Sequence, residues 1–360
     1  MLNAIMSVHR RVVATKNIGD YIQAVAANQF MKTERFVDRD ELKFYDGVCC
    51  KLIMNGWFTH DTTAWPPSNK IIPLITSFHI TPGRKDFILT SEGVAYLKKH
   101  QPIGCRDKAT KRFLEEKGIS AYFSSCLTLT LGQTYASNPD RQKILFVDPL
   151  IPYLDKPFLT TLAKIDFIFS IANAKKIIKL GEKFVRAFPS LGEGIKAKIK
   201  AYAAAAIFFR HYIKMFSEEA LLEGDYLSNR ISWRMVKKGM NEDAQLMQLA
   251  DKTLRTFAKY PLVVTSRIHC ALPCIAMGTQ VIFVNDKAGR DSGAGLEMDN
   301  GRFDGLIDYF NLLSFDRDWK FSADFDCHGQ ISAATRLPVN NAWKAHAQHL
   351  VSICKKFANE

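Results

Sequence analysis

Two apolar runs, Tyr260–Val264 and Val281–Val284, bracket a stretch whose apolar spacing suits a short helix ending at Gly278. Each run has the length and composition of a buried strand, so residues 260–284 read as strand, helix, strand. That order puts Thr265-Ser-Arg267-Ile-His269 where a strand hands over to a helix. Open α/β sheets bind ligands there, at the carboxyl ends of their strands. Arg267 offers a permanent planar fork for phosphate or carboxylate, and His269 can move protons at neutral pH. The pair points to an anionic substrate and acid–base chemistry.

The same alternation recurs along the chain. Val12–Thr15 reads as a first strand, Asn17-Ile-Gly19-Asp20 as a turn, and Asp20 as the cap of a helix reaching roughly Phe30. Val48–Met54, Ile71–Ile80, Ile103–Arg106 and Ala121–Ser125 read as strands. Ser91–Lys99 suits a helix, and Asp107 caps another that runs to Lys117 and stops at Gly118. Strands alternating with helices predict a parallel sheet covered on both faces. A turn-like Asn138-Pro-Asp-Arg141 marks a domain boundary, after which Lys143–Asp148 begins a second run. A length of 360 residues also suits two domains. The expected organisation is an N-terminal α/β lobe over 1–142 and a C-terminal α/β lobe over 143–342. The second lobe carries a helical, Lys-rich insertion at about 160–255, with breaks at Pro189 and Gly192. Positions 343, 346, 350, 353, 354 and 357 define one face of a closing amphipathic helix, 343–357, expected to pack back on the first lobe.

Hydrophobic content of 47% with 24% charged residues is that of a soluble globular protein. The eight Cys are scattered without CxxC or zinc spacing, so no metal site is expected and reduced thiols in a cytoplasmic compartment fit best. Residues 1–11 lack the apolar core of a secretory signal, and the longest strongly apolar run, Ala201–Phe209, is too short to span a bilayer. The formal net charge is +13, and Lys164–Lys214 holds eleven Lys or Arg against three acids, a net of +8. Ile177, Ile178, Phe184, Val185, Ile195, Ile199, Ile207 and Phe208 are interleaved with those lysines, a mixture suited to peripheral contact with an anionic membrane through 164–214. A solvated helix face is the plainer reading of the same charges. No recognised nucleic-acid motif is present, so no nucleic-acid partner is expected.

Other residues merit weighing. Arg106 ends a strand, although Asp107 or Glu115 could simply pair with it. Asp20 reads more readily as a helix cap than as a base, and Gly19 as a backbone requirement. Lys287 and Arg290 lie in a Gly-rich loop after the Val281–Val284 strand that could close over an anion. Trp57 could stack on a sugar, though a core Trp is commoner.

Taken together, Asn17-Ile-Gly-Asp-Tyr-Ile-Gln23, Pro102-Ile-Gly-Cys-Arg106-Asp-Lys-Ala-Thr110, Thr265–His269 and Ala276-Met-Gly-Thr-Gln-Val-Ile282 resemble the polysaccharide pyruvyl transferase family. The resemblance runs over 12–310 and leaves out the insertion. It implies a fold of two Rossmann-like lobes, GT-B-like, and transfer of the enolpyruvyl group of phosphoenolpyruvate onto two sugar hydroxyls as a cyclic ketal, with no cofactor. It also implies that His269 is catalytic and that Arg267 and Arg106 bind substrate, with Ile268 standing where the family more often has Leu. Asn17, Gly19, Asp20, Lys287 and Arg290 complete the expected substrate-binding set. The acceptor implied is a surface-glycan precursor, lipid-linked at the inner face of the cytoplasmic membrane. A GT-B-type glycosyltransferase using a nucleotide sugar is the alternative.

Overall fold

The computed structural model describes residues 2–8, 15–58, 61–152, 158–286, 301–316, 318–326 and 329–360. The chain opens with strand β1 (Leu2–Ser7), the short β2 (Thr15–Asn17) and helix α1 (Gly19–Met31). Strands β3 (Phe36–Asp38), β4 (Cys50–Trp57) and β5 (Ile71–His79) follow, then helices α2 (Lys85–Ile88) and α3 (Ser91–Lys99). Strand β6 (Ile103–Cys105), helix α4 (Lys108–Glu115) and strand β7 (Ala121–Phe123) complete the first half. Its six-stranded sheet has the order β3-β1-β4-β5-β6-β7, and every pairing is parallel. The strands at its centre bury Leu52, Ile53 and Met54 completely. Each such side chain contributes about 1.5–3 kcal/mol of transfer free energy.

The second half begins with β8 (Ile144–Val147) and helices α5 (Phe158–Leu162), α6 (Phe167–Ala172), α7 (Ala174–Ala187), α8 (Gly194–Tyr212) and α9 (Glu218–Glu223). Next come β9 (Asp225–Leu227), β10 (Arg230–Ser232), α10 (Glu242–Phe257), β11 (Leu262–Thr265), α11 (Ile268–Met277), β12 (Gln280–Asp286), β13 (Asn311–Phe315) and β14 (Phe321–Ala323). The second sheet has the order β14-β13-β12-β11-β8-β9, parallel except for the edge strand β14. The protein is thus mixed α/β. One core lies between the sheets: it joins Ile5 and Ile53 to α1, α10 and α11 and to Val263 and Phe283. A second core packs α7 and α8 on the outer face of the second sheet, and a third covers the outer face of the first.

Three sequence expectations change. The first sheet strand is Leu2–Ser7; of the expected Val12–Thr15 strand, 12–14 lie outside the described residues, and Thr15 belongs to β2. β2 joins no sheet of the first half but pairs antiparallel with β10, Arg230 opposite Asn17, as a ribbon between the halves. The segment 160–255 is not helical throughout, because β9 is the edge of the second sheet and α10 packs into the shared core. The closing helix (Lys344–Asn359) lies against the first sheet: Lys51 Nζ donates to the Phe357 carbonyl at 2.9 Å, and Tyr122 and Phe123 meet His349 and His346 edge-on. Its buried face is Ala347, Leu350 and Cys354, with His346 only partly covered.

Candidate active site between the two sheets

β11 ends at Thr265 and α11 begins at Ile268, so Arg267 becomes the N-cap residue and His269 falls in the first helical turn. The Thr265 hydroxyl accepts the Arg267 N–H at 3.0 Å, and Ser266 Oγ donates to the Asp148 carbonyl at 2.7 Å, fixing the turn to β8. His269 faces the start of α1. A Cβ built on Gly19 would lie 3.1 Å from His269 Nδ1, 3.2 Å from its Cβ and 3.1 Å from Asn17 Oδ1. Only a glycine lets the two helix N-termini approach this closely, and such termini favour anions. Asn17 Oδ1 accepts the Gly19 N–H at 3.1 Å. Asp20 is therefore not the cap expected for α1 but a residue of its first turn, 3.9 Å from Arg39.

The first sheet supplies the opposite wall. Arg106 follows β6 directly, its N–H donating to the Phe78 carbonyl at 2.8 Å. Its side chain is buried, and Nε and Nη2 have no hydrogen-bond partner. The nearest anion, Asp107, is 3.9 Å away. Burial lowers the pKa of Arg106, with Asp107 opposing the shift. Buried donors left unsatisfied are costly, and here they point at what a ligand must bring. His79, the last residue of β5, lies with Nδ1 2.7 Å from Asp107 Oδ2. Asp107 Oδ1 caps α4 by accepting from Thr110 N at 2.8 Å. Burial pushes the Asp107 carboxyl up, but the His79 hydrogen bond and the charge of Arg106 bring it below the usual range. Burial and the Arg106 charge take His79 down to about 4 against the pull of Asp107. A neutral His79 donates its Nδ1 proton to Asp107 and leaves Nε2 as the free acceptor.

Between these walls lies a cavity of about 240 Å³ that takes in His79, Arg106, His269 and Arg302. Asn17, Asp20, Arg39, Trp57 and Arg84 also line it. Arg302 is held down to about 9 by burial, then by Arg106 and Arg267. His269 is well below the usual imidazole range, from burial and from the charges of Arg106 and Arg302, and its Nε2 is buried without a hydrogen-bond partner. Two larger hollows, about 430 and 350 Å³, lie by Lys143 and Glu223 and by Gly278 and Trp343. They adjoin the starts of β8 and β12, away from the carboxyl strand ends where this converging set of buried cations sits. Among the described residues no group of three His, Cys, Asp or Glu side chains is placed to hold a metal ion.

Helix N-termini, buried arginines, a histidine at a strand end on one wall and a histidine in a first helical turn on the other are a site for a small anion. The family model for polysaccharide pyruvyl transferase matches residues 17–287, most of the chain. The chain belongs to the polysaccharide pyruvyl transferase family. It is accordingly a transferase, with a role in pyruvyl transfer in polysaccharide biosynthesis. The match runs across 160–255, the segment that the motifs skip. No curated protein and no solved structure matches the chain. No helix among the described residues is long and apolar enough to cross a membrane.

Of the residues singled out from the sequence, His269, Arg106, Asn17 and Asp20 line the cavity, and Gly19 sets the approach of α1 to His269. Arg267 does not line it. Its side chain leans on Asp148 at the end of β8, Nε to Oδ2 3.3 Å, and is 42% exposed. Lys287 and Arg290 fall outside the described residues. Trp57 lines the cavity and its ring lies under the Arg39 guanidinium, 5.4 Å from the centroid. Sequence reading missed His79 and Arg302. His79 carries a weaker signal, a polar residue one short of the end of the Ile71–Ile80 run. Arg302 carries no such local signal, because it reaches the cavity from beyond β12 in the second half.

Proposed function

We propose that the cavity holds phosphoenolpyruvate and that the protein transfers its enolpyruvyl group to two hydroxyls of a surface-polysaccharide precursor as a cyclic ketal. The observation that carries this reading is the pair of unsatisfied buried Arg106 donors beside Arg302 and His269. A phosphate and a carboxylate would meet these donors bidentately, which orients the donor as well as binding it. On this reading the bound dianion favours the imidazolium form of His269, which burial and the charges of Arg106 and Arg302 disfavour. His269 then gives a proton to the methylene carbon. The first sugar hydroxyl adds to C2 and passes its proton to His79 Nε2, whose developing charge Asp107 stabilises. Phosphate leaves C2 with the bonding electron pair, the second hydroxyl closes the ring, and its proton departs with the phosphate. No cofactor is required by this scheme.

We read the two sheets, with lobes over 1–142 and 143–342 and the last helix returning to the first, as a GT-B-like arrangement. That arrangement is what favours the second reading, a glycosyltransferase with a nucleotide-sugar donor. Cavity size argues for the first: about 240 Å³ lies below the roughly 300–1,000 Å³ that drug-sized ligands occupy. The test is thermal unfolding with phosphoenolpyruvate against a panel of nucleotide sugars. Stabilisation by phosphoenolpyruvate alone supports pyruvyl transfer, and stabilisation by a nucleotide sugar alone replaces it with glycosyl transfer. The acceptor read here is a glycan, lipid-linked, met at the inner face of the cytoplasmic membrane.

A further inference from the structure

Six of the nine lysines of 164–214 fall into two sets. Lys176 and Lys179 pair with Glu218 and Glu223 of α9, and Lys183 donates to the Gly224 carbonyl, so three of them hold α7 to its own protein. Lys175, Lys196 and Lys198 are exposed and have no ion-pair partner among the described residues. The apolar residues divide the same way. Ile177, Phe184 and Phe208 are in the core under the second sheet, and Ile207 is buried. Ile178, Ile195 and Ile199 are exposed, and Ile195 and Ile199 stand one helical turn apart, flanked by Lys196 and Lys198.

Helix α8 changes character along its length: Ala201 and residues 203–209 are buried, while most of 194–199 is exposed. Beside this pair of helices, α6 turns Phe169 inward onto Phe209 and leaves Phe167, Ile168 and Ile171 70–84% exposed. A face kept only soluble would interleave its lysines with acids and polar groups. Here unpaired lysines alternate with Ile195 and Ile199 on α8, and α6 adds exposed Phe and Ile, the composition of an interfacial surface.

We infer that α6, the exposed edge of α7 and the first half of α8 form a docking surface for an anionic lipid bilayer, its apolar side chains entering the interface and Lys175, Lys196 and Lys198 meeting the headgroups. The charge of the surface decides the occupant: a neutral or cationic partner would leave those lysines uncompensated. The inference does not rest on the donor chemistry, and it gives the protein a place to meet a membrane-held acceptor.

The test is sedimentation of the whole chain with phosphatidylglycerol–phosphatidylcholine vesicles and with phosphatidylcholine alone, at low and high salt. The protein should partition to the anionic vesicles and be released by salt. The variant Lys175→Gln/Lys196→Gln/Lys198→Gln should lose on the order of a hundredfold in partitioning, about fivefold for each lysine. Phe167→Ser/Ile168→Ser/Ile171→Ser should also lose binding, whereas Lys176→Gln/Lys179→Gln, which removes paired lysines, should keep it. Absence of wild-type binding to anionic vesicles, equal partitioning of either surface variant and wild type, or an equal loss in the paired-lysine control would each overturn the inference. Thermal stabilisation by phosphoenolpyruvate, measured on the same variants, reads the donor site separately.

Discussion

At the scale of single residues, the site is built from buried polar groups that the protein leaves only partly matched. Arg106 is a buried cation with two unmet donors, and His79 and His269 are buried imidazoles held neutral. Arg106→Met removes the charge while keeping most of the volume. It should leave the thermal midpoint unchanged or raise it, because a buried charge without a close partner is lost. It should weaken phosphoenolpyruvate binding by roughly 10- to 100-fold, the equivalent of a charged hydrogen bond at about 1.5–3 kcal/mol, read by calorimetry. A destabilised variant with unchanged affinity would make Arg106 structural. The histidines also set a pH dependence. His79 titrates near 4 in the fold but near 6.5 in the unfolded chain. The unfolded chain therefore binds the proton first as pH falls, so the contribution is complete above about 6.5 and is lost towards 4. For His79 alone the loss is about 3 kcal/mol, and His269 adds in the same direction. Urea titrations at pH 7.5 and pH 5 should show it, and His79→Gln should flatten the difference. Turnover followed as phosphate release should fall roughly 10²–10⁴-fold in His269→Gln or His79→Gln. Arg106 and His269 were legible because strand-end placement is a local pattern. Arg302 was not, because its position depends on how the halves meet.

At the scale of elements, two glycines separate catalytic from structural packing. Gly19→Ala puts a methyl 3.1–3.2 Å from the His269 ring and Cβ at the first turn of α1, where alanine otherwise favours the helix by up to about 1 kcal/mol. The gain and the crowding should nearly cancel in stability, while a displacement of His269 by a few tenths of an ångström should lower turnover at least tenfold. Gly132→Ala meets backbone instead: its Cβ would lie 2.1 Å from the Ala276 carbonyl oxygen of α11. It should cost about 1–3 kcal/mol in denaturant unfolding. A full-activity Gly19→Ala enzyme would show that the histidine tolerates the shift. The elements themselves were largely legible: α3, β5, β6, β8 and the β11–α11–β12 unit follow the apolar runs that announce them. β9 (Asp225-Tyr-Leu227) and β10 (Arg230-Ile-Ser232) were not, because charged and polar residues leave them no apolar run, unlike the equally short β6.

At the scale of the whole molecule, the two sheets are not two independent bodies. One apolar core runs from Ile5 through α1, α10 and α11 to Phe283, so neither sheet can shed its inner face without exposing the other's. The β2–β10 ribbon crosses between the halves, and Tyr21 of α1 donates to Asp243 of α10 at 2.5 Å. The cavity takes walls from both halves, with Arg106 and His79 on one side and His269 and Arg302 on the other. A ligand that bridges these walls binds only the assembled fold and stabilises it by mass action, about 2.7 kcal/mol at a hundred times its Kd. Heating should therefore give a single calorimetric transition, and phosphoenolpyruvate should move it whole. If the sheets were joined only by chain connectivity, two transitions would appear and the donor would shift at most one. Asp243→Ala distinguishes the cases further: it removes the partner of Tyr21 without changing a cavity-lining side chain, so it should lower the single midpoint while the shift produced by phosphoenolpyruvate remains. A split transition in that variant would mean that the helix pair α1–α10, rather than the shared core as a whole, keeps the halves cooperative.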